Sequence, residues 1–155
     1  MKNRTFEAHS GIIAREGIPI ILFFLFFTIS SFMFGSIASG VVFLLITVFI
    51  VWFFRNPRRN TPDYEKLVIS PADGKVLRIE ELSETEFMKG PCRRVAIFMN
   101  IFNVHVNRIP YSGHVEWIRY RKGKFVSANL DKASTDNERN IVKIKGDDGN
   151  ELIVV

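Results

Sequence analysis

The chain has 155 residues and a mass of 17.8 kDa, room for roughly one domain of ~100–150 residues, with 47% hydrophobic residues, 24% charged residues and a formal net charge of +5. The apolar residues are unevenly spread: residues 17–54 contain no Asp, Glu, Lys, Arg or His, and ten of the fifteen Phe residues sit in those 38 positions. The other 117 residues carry every charge, which excludes a simple soluble protein, and their aliphatic content excludes disorder. The single Cys92 excludes an internal disulfide and lacks the spacing of a zinc site, so no metal is expected.

Residues 1–16 form a short N-terminal segment that includes Lys2, Arg4 and Arg15. The apolar block that follows, residues 17–54, is more than twice as long as the ~7–15 apolar residues of a secretory signal peptide and reads as a membrane segment. As one straight helix it would measure ~57 Å, about twice the ~30 Å hydrocarbon thickness. Two helices over residues 18–34 and 37–52 fit better, at or just under the short end of the usual ~17–25 residues. Gly35-Ser36 and Gly40 supply a break between them, and Pro19 suits the first turn of the first helix. Basic residues flank both ends of the block while its turn is uncharged, so the positive-inside rule puts both ends in the cytoplasm. Trp52, Phe53 and Phe54 sit where an aromatic belt is expected. Spans this short also fit a hairpin that dips into one leaflet and returns.

Residues 55–65 read as a basic interfacial linker, with Arg55, Arg58 and Arg59 at the lipid head groups. Beyond it, residues 66–155 change period. Short β-branched or alternating runs at 66–70, 75–80, 94–99, 114–120, 140–145 and 151–155 are separated by Asp-Gly, Lys-Gly-Pro and Tyr-Ser-Gly turn signals. The last two runs form a hairpin around Asp148-Gly149. The expected fold is thus an N-terminal membrane α-hairpin followed by a mainly β (α+β) soluble domain, incomplete at its C-terminus because the final strand runs to the last residue. The basic residues are dispersed and lack the aromatic-plus-glycine pattern of an RNA-binding sheet. An anionic phospholipid membrane is therefore the expected partner of the positive charge, and nucleic acid is not.

Three clusters can carry chemistry. SPADGKV, residues 70–76, is a tight turn between strands that fixes Asp73 at its apex, although an Asp in such a turn often only caps its own backbone. NIFNVHVNRIP, residues 100–110, sets His105 among Asn103, Asn107 and apolar residues; an imidazole with an intrinsic pKa near 6.5 is the natural proton donor or acceptor there. LDKASTDNERN, residues 130–140, is a polar loop dense in donors and acceptors, Asn137 and Arg139 among them.

The order FFRNPRR, SPADGKV, FNVHVNRIPYSG, LDKASTDNERN after a membrane hairpin resembles the short, membrane-anchored prokaryotic type of phosphatidylserine decarboxylase, over residues 17 to 155. The resemblance implies decarboxylation of phosphatidylserine, or an archaeal analogue, to the ethanolamine lipid through a pyruvoyl Schiff base. In this family the pyruvoyl group is made by autocatalytic cleavage of the precursor at a Gly-Ser, which leaves a membrane-bound β chain and a small pyruvoyl-bearing α chain. Asp73 matches the aspartate that supports self-cleavage, and His105 matches the histidine beside the pyruvoyl that protonates the carbanion. Asn103, Asn107, Asn137 and Arg139 are the candidate substrate contacts. The implied partners are the α chain, the serine phospholipid and the cytoplasmic face of the cell membrane; an oligomer is compatible with all of this.

Two departures qualify the transfer. Longer members of the family carry a second histidine three residues after the first, where this sequence has Arg108, so His105 serves both steps or His114 acts as the second base. No processing Gly-Ser follows the hairpin: Gly35-Ser36 lies in the membrane turn, and Ser112-Gly113 has the reverse order. The chain is accordingly expected to be the β part and inactive alone. The competing reading is a non-enzymatic, membrane-tethered module of lipoyl-like or carrier type, which explains SPADGKV and the hairpin but not FNVHVNRIP.

Overall fold

The charge-free block folds into two helices in the computed structural model, which describes residues 11–60, 62, 67–84, 86–125 and 136–155. A single 3-10 turn, Arg15–Gly17, leads into α1, Ile18–Met33, with Pro19 in its first turn, where the missing N–H costs nothing. Helix α2 spans Ile37–Phe53. The break falls at the expected Gly35-Ser36, and Gly35 adopts φ 75°, a conformation open to a residue without Cβ.

Gly40 does not belong to that break. It lies within α2, buried against the ring of Phe32, and a Cβ there would come within 2.8 Å of the ring carbons. Its role is close helix approach. Further along the seam, the hydroxyls of Thr28 and Thr47 stand 3.2 Å apart, and each lies within hydrogen-bond reach of its own helix, at Phe24 O and Phe43 O. Both threonines are buried, whereas Leu22, Phe23, Phe26, Leu45 and Val48 stay exposed on the outer faces. The stretch Arg15–Met33 is long and apolar enough to cross a membrane.

The foot of the hairpin is closed by backbone pairing. Ile13 bridges Arg55 in antiparallel fashion, Ala14 N donates to Phe54 O at 2.8 Å, and Asn56 N donates to Ile12 O at 2.6 Å. Asn56 Nδ2 adds a bond to Gly11 O at 3.1 Å. The segments entering and leaving the hairpin therefore meet at one end of it.

Contacts divide the chain into two units: the residues before Pro62 with Met99–Val106, and Pro62–Phe98 with Asn107–Val155. Among the described residues, the second unit holds two antiparallel sheets. Strand β1, Lys75–Glu84, pairs with β2, Gly90–Phe98, with an irregularity between Val76 and Arg78; Glu80–Arg94 and Glu81–Arg93 ion pairs cross the ladder. The Glu84 carboxylate closes the connecting turn by accepting from the backbone N–H groups of Glu86, Phe87 and Met88, which holds its pKa below the ordinary carboxylate value.

Strands β3, Gly113–Arg121, β4, Arg139–Gly146, and β5, Glu151–Val154, form a sheet of that order around the buried Ile141 and Ile144. Lys143 bridges Glu116 and Glu151 at 3.1 and 2.8 Å, and these partners raise its pKa. The β4–β5 hairpin turns at Asp148-Gly149 as expected, with Gly149 at φ 85° and Tyr111 donating to Asp148 Oδ2. The two sheets touch where the β1–β2 turn reaches β3: Phe87 lies 5.7 Å from the Trp117 ring, and Glu86 pairs with Arg121.

One expected strand is absent. Lys66 lies outside the described residues, and Leu67–Ser70 is not a strand. Its ladder stops after two bonds, Ile69 N to Pro110 O and Arg108 N to Pro71 O, both at 2.8 Å. Pro71 and Pro110 have no N–H with which to continue it.

Candidate active site

The second unit positions Asp73. The two bonds between 69–71 and 108–110 lay the SPADG turn along the second half of the NIFNVHVNRIP segment, and Ser70 Oγ closes the turn by donating to Ala72 O at 2.7 Å. Gly74 then passes so close to β2 that an added Cβ would strike the carbonyl oxygen of Phe98. Glycine is required there by backbone approach rather than by φ. Asp73 is half-buried at the apex so formed.

The first unit positions His105. Its Nδ1 lies 3.0 Å from the backbone oxygen of Asn103. A carbonyl can only accept, so Nδ1 carries the proton and the neutral ring keeps its basic lone pair on Nε2. The imidazole is stacked on Phe53, the last residue of α2, with centroids 4.0 Å apart and planes at 22°. Among the described residues, Nε2 has no hydrogen-bond partner, and no buried side-chain polar atom is left unpaired. The Nδ1 edge of the ring is thus held by the loop backbone and one face by Phe53.

The loop bearing His105 is tied to the end of α2. The carbonyl of Phe102 accepts from Trp52 Nε1 at 3.2 Å and from Arg55 at 2.8 Å. Arg55 also donates to Trp52 O at 2.7 Å and lies over the indole, 4.2 Å from its centroid. Asn103 spends its side chain on the loop, its Oδ1 accepting from Asn100 N at 2.9 Å, and Val104 is buried beside it.

Other sequence candidates are scattered. His114 is exposed on β3 opposite Lys145, Asn107 is exposed in the second unit, and Asn137 sits in a bridge to Lys124. Arg139 opens β4 opposite Arg121, while residues 130–135 of the polar loop lie outside the described residues. Arg58 and Arg59 are exposed, whereas Arg55 is engaged by the two carbonyls. Asp73 and His105 belong to different units. Sequence reasoning missed Phe53 and Trp52 as parts of the His105 setting, because their aromatic character reads equally well as a membrane belt.

The NIFNVHVNRIP segment thus divides between two supports, the end of α2 for its histidine and the SPADG turn for its arginine. A family model described as phosphatidylserine decarboxylase matches residues 46–155, which include all of these elements. The chain belongs to the phosphatidylserine decarboxylase family. Among its relatives, the phosphatidylserine decarboxylase proenzyme of Syntrophus aciditrophicus is 52% identical over 148 residues, 95% of this chain and 70% of that protein. The proenzyme of Carboxydothermus hydrogenoformans is 51% identical over 106 residues, 68% of this chain and 50% of the relative. That of Magnetococcus marinus is 43% identical over 141 residues, 90% and 65% of the two lengths. The chain therefore spans between half and 70% of the length of these curated relatives.

Proposed function

We propose that this chain is the β part of a membrane-anchored decarboxylase that converts a serine phospholipid to its ethanolamine counterpart, after the precursor cleaves itself into β and α chains. The observation that carries the reading is the family match running through both the SPADG turn and the His105 loop. The proenzyme names of the relatives support processing.

In this reading, a pyruvoyl group on the α chain supplies the electron sink for loss of the carboxylate. The donor set of this chain suits such a group: His105 is half-buried on an apolar ring, with Nδ1 anchored to Asn103 O and Nε2 left without a hydrogen-bond partner among the described residues. In the imidazolium form, with Nδ1 still bonded to Asn103 O, Nε2 carries the proton delivered to Cα of the head group and returns to its lone-pair state, while the stack on Phe53 keeps water from one face of the ring. The neighbouring asparagines do not titrate and Arg108 does not release a proton at neutral pH, so no other residue in that loop can do this. Asp73 serves in the precursor, where its carboxylate supports the base that activates the cleavage serine. Asn107, Asn137 and Arg139 contribute head-group contacts.

Residues 17–54 anchor the protein in the cell membrane as a hairpin, with residues 1–16, the linker 55–65 and the β domain 66–155 on the cytoplasmic side. The nearly continuous apolar exposure of α1 and α2 supports this, since a core hairpin would be covered. Arg58 and Arg59 face anionic head groups, each contributing about 1 kcal/mol.

The test uses the full-length product. Mass spectrometry should find two chains with a blocked, pyruvoyl-terminated α chain, and His105→Ala should depress decarboxylation by roughly 10²–10⁴-fold. Cleaved but inactive protein assigns His105 to decarboxylation alone; uncleaved protein gives it the cleavage step as well. Cleaved protein with near-normal turnover would overturn the assignment and turn attention to His114.

A further inference from the structure

The tip of the His105 loop is built in an unusual way for a loop in water. Ile101 is 56% exposed and Phe102 is 62% exposed, side by side at the turn. Yet most of the backbone on either side of Ile101 is engaged by hydrogen bonds. Asn100 N bonds to Asn103 Oδ1 and Asn103 N to Asn100 O, both at 2.9 Å, while Phe102 N bonds to Asn100 Oδ1 at 2.8 Å. Phe102 O takes two donors, from Trp52 and Arg55, and Asn103 O takes the imidazole. Asn100, Phe102 and Asn103 thus have both backbone groups engaged. At such a tip the backbone groups of Ile101 are the ones left to the interface, where water and lipid carbonyls can meet them, while its neighbours already meet the condition that a lipid environment imposes on irregular backbone.

The place of this tip is fixed by its partners. Trp52 is the penultimate residue of α2, and its indole N–H, which at a membrane surface would meet water or a lipid carbonyl, is spent on the loop. The loop and the hairpin lie in the same unit, so the tip sits beside the end of α2. We propose that Ile101 and Phe102 enter the lipid interface at the level of Trp52, making this loop a second, shallow membrane contact. Resting on the membrane reading given above for the hairpin, the inference adds that His105, three residues further on, is held at head-group depth. A lipid substrate would then present its serine to the imidazole without leaving the bilayer.

Spin labels test this in the full-length protein reconstituted into vesicles of phosphatidylglycerol and phosphatidylethanolamine, in a Cys92→Ala background. Labels are placed singly at Leu22→Cys on the outer face of α1, at Ile101→Cys, and at Arg58→Cys beyond α2. Relaxation of the Ile101 label should respond to lipid-soluble oxygen more than to a water-soluble nickel chelate, as for Leu22 and opposite to Arg58. A lipid-exposed Leu22 label with a water-exposed Ile101 label overturns the loop contact alone. Both labels in water overturn the hairpin reading with it. A measurement free of cysteine changes uses Phe102→Trp: vesicles of lipids brominated near the top of the acyl chain should quench the added emission, and unquenched added emission again overturns the contact.

Discussion

The last residue of α2, Phe53, stacks face to face on His105, ring centroids 4.0 Å apart and planes at 22°, across 52 residues of sequence. The contact joins the apolar hairpin to the residue proposed as proton donor. With Trp52 and Arg55 gripping Phe102 O, it makes the end of a helix that reads as a mere anchor into the support of the imidazole.

Phe53→Leu keeps the apolar volume and removes the ring. An aromatic pair contributes about 0.5–1.5 kcal/mol beyond its area, so decarboxylation by the full-length enzyme should fall roughly 2- to 13-fold. Phe53→Tyr should restore it, and vesicle binding should be unchanged in both. Equal activity in the Leu and Tyr variants would show that the stack does not position His105.

Asp73→Asn retains the shape of the turn but can neither bear the charge nor hold a basic partner. In the full-length precursor it should leave a single uncleaved chain on a denaturing gel. Normal β and α chains from this variant would reduce Asp73 to a turn cap.

Glu84 ties three backbone N–H groups, and those bonds favour its ionised form. A carboxyl whose pKa is lower folded than unfolded stabilises the fold above the unfolded value of about 4.3 and loses that contribution as pH falls through the folded value. The stability gap between the parent and Glu84→Gln should therefore be open near pH ~6 and narrow toward pH ~3. Urea unfolding followed by the emission of Trp117, which lies beside Phe87, measures it. A gap independent of pH would place the effect of the substitution elsewhere.

Gly40→Leu should drive the helices apart, because the new side chain has to occupy the place of the Phe32 ring. Cysteines at Thr28 and Thr47, whose hydroxyls face each other, report on this when Cys92 is replaced. Oxidation should cross-link them readily in the parent and slowly with Gly40→Leu. Thr28→Val with Thr47→Val should cost little, since interhelical hydrogen bonds in membranes average about 0.6 kcal/mol.

The helix ends were legible to within a residue because a charge-free block and one Gly-Ser step mark them. Strands β3, β4 and β5 were legible for a similar reason: alternation bounded by glycine turns. Gly40 was misread because glycine signals both a break and a close approach, and only the Phe32 ring decides between them. Leu67–Ser70 looked like a strand by composition, yet its partner segment ends in Pro110, so the ladder it needed could not form. The motifs around Asp73 and His105 could be found from residue order. Their supports could not, since nothing local in FNVHVNRIP points to Phe53.

The clasp between Gly11–Ala14 and Phe54–Asn56 has a consequence for biogenesis. Its first half leaves the ribosome about forty residues before its second, an interval of ~2–8 s at ordinary elongation rates. Throughout that time the amide and carbonyl groups near Ile12 lack their eventual mates, and α1 has no Thr47 to meet Thr28. On the membrane reading proposed above, the first helix is accepted by the insertion machinery as a lone passenger, and the pair locks only when Arg55 and Asn56 arrive. On the same reading, a delay in translation just before those codons would prolong a stage at which the inserted hairpin can still slip back out.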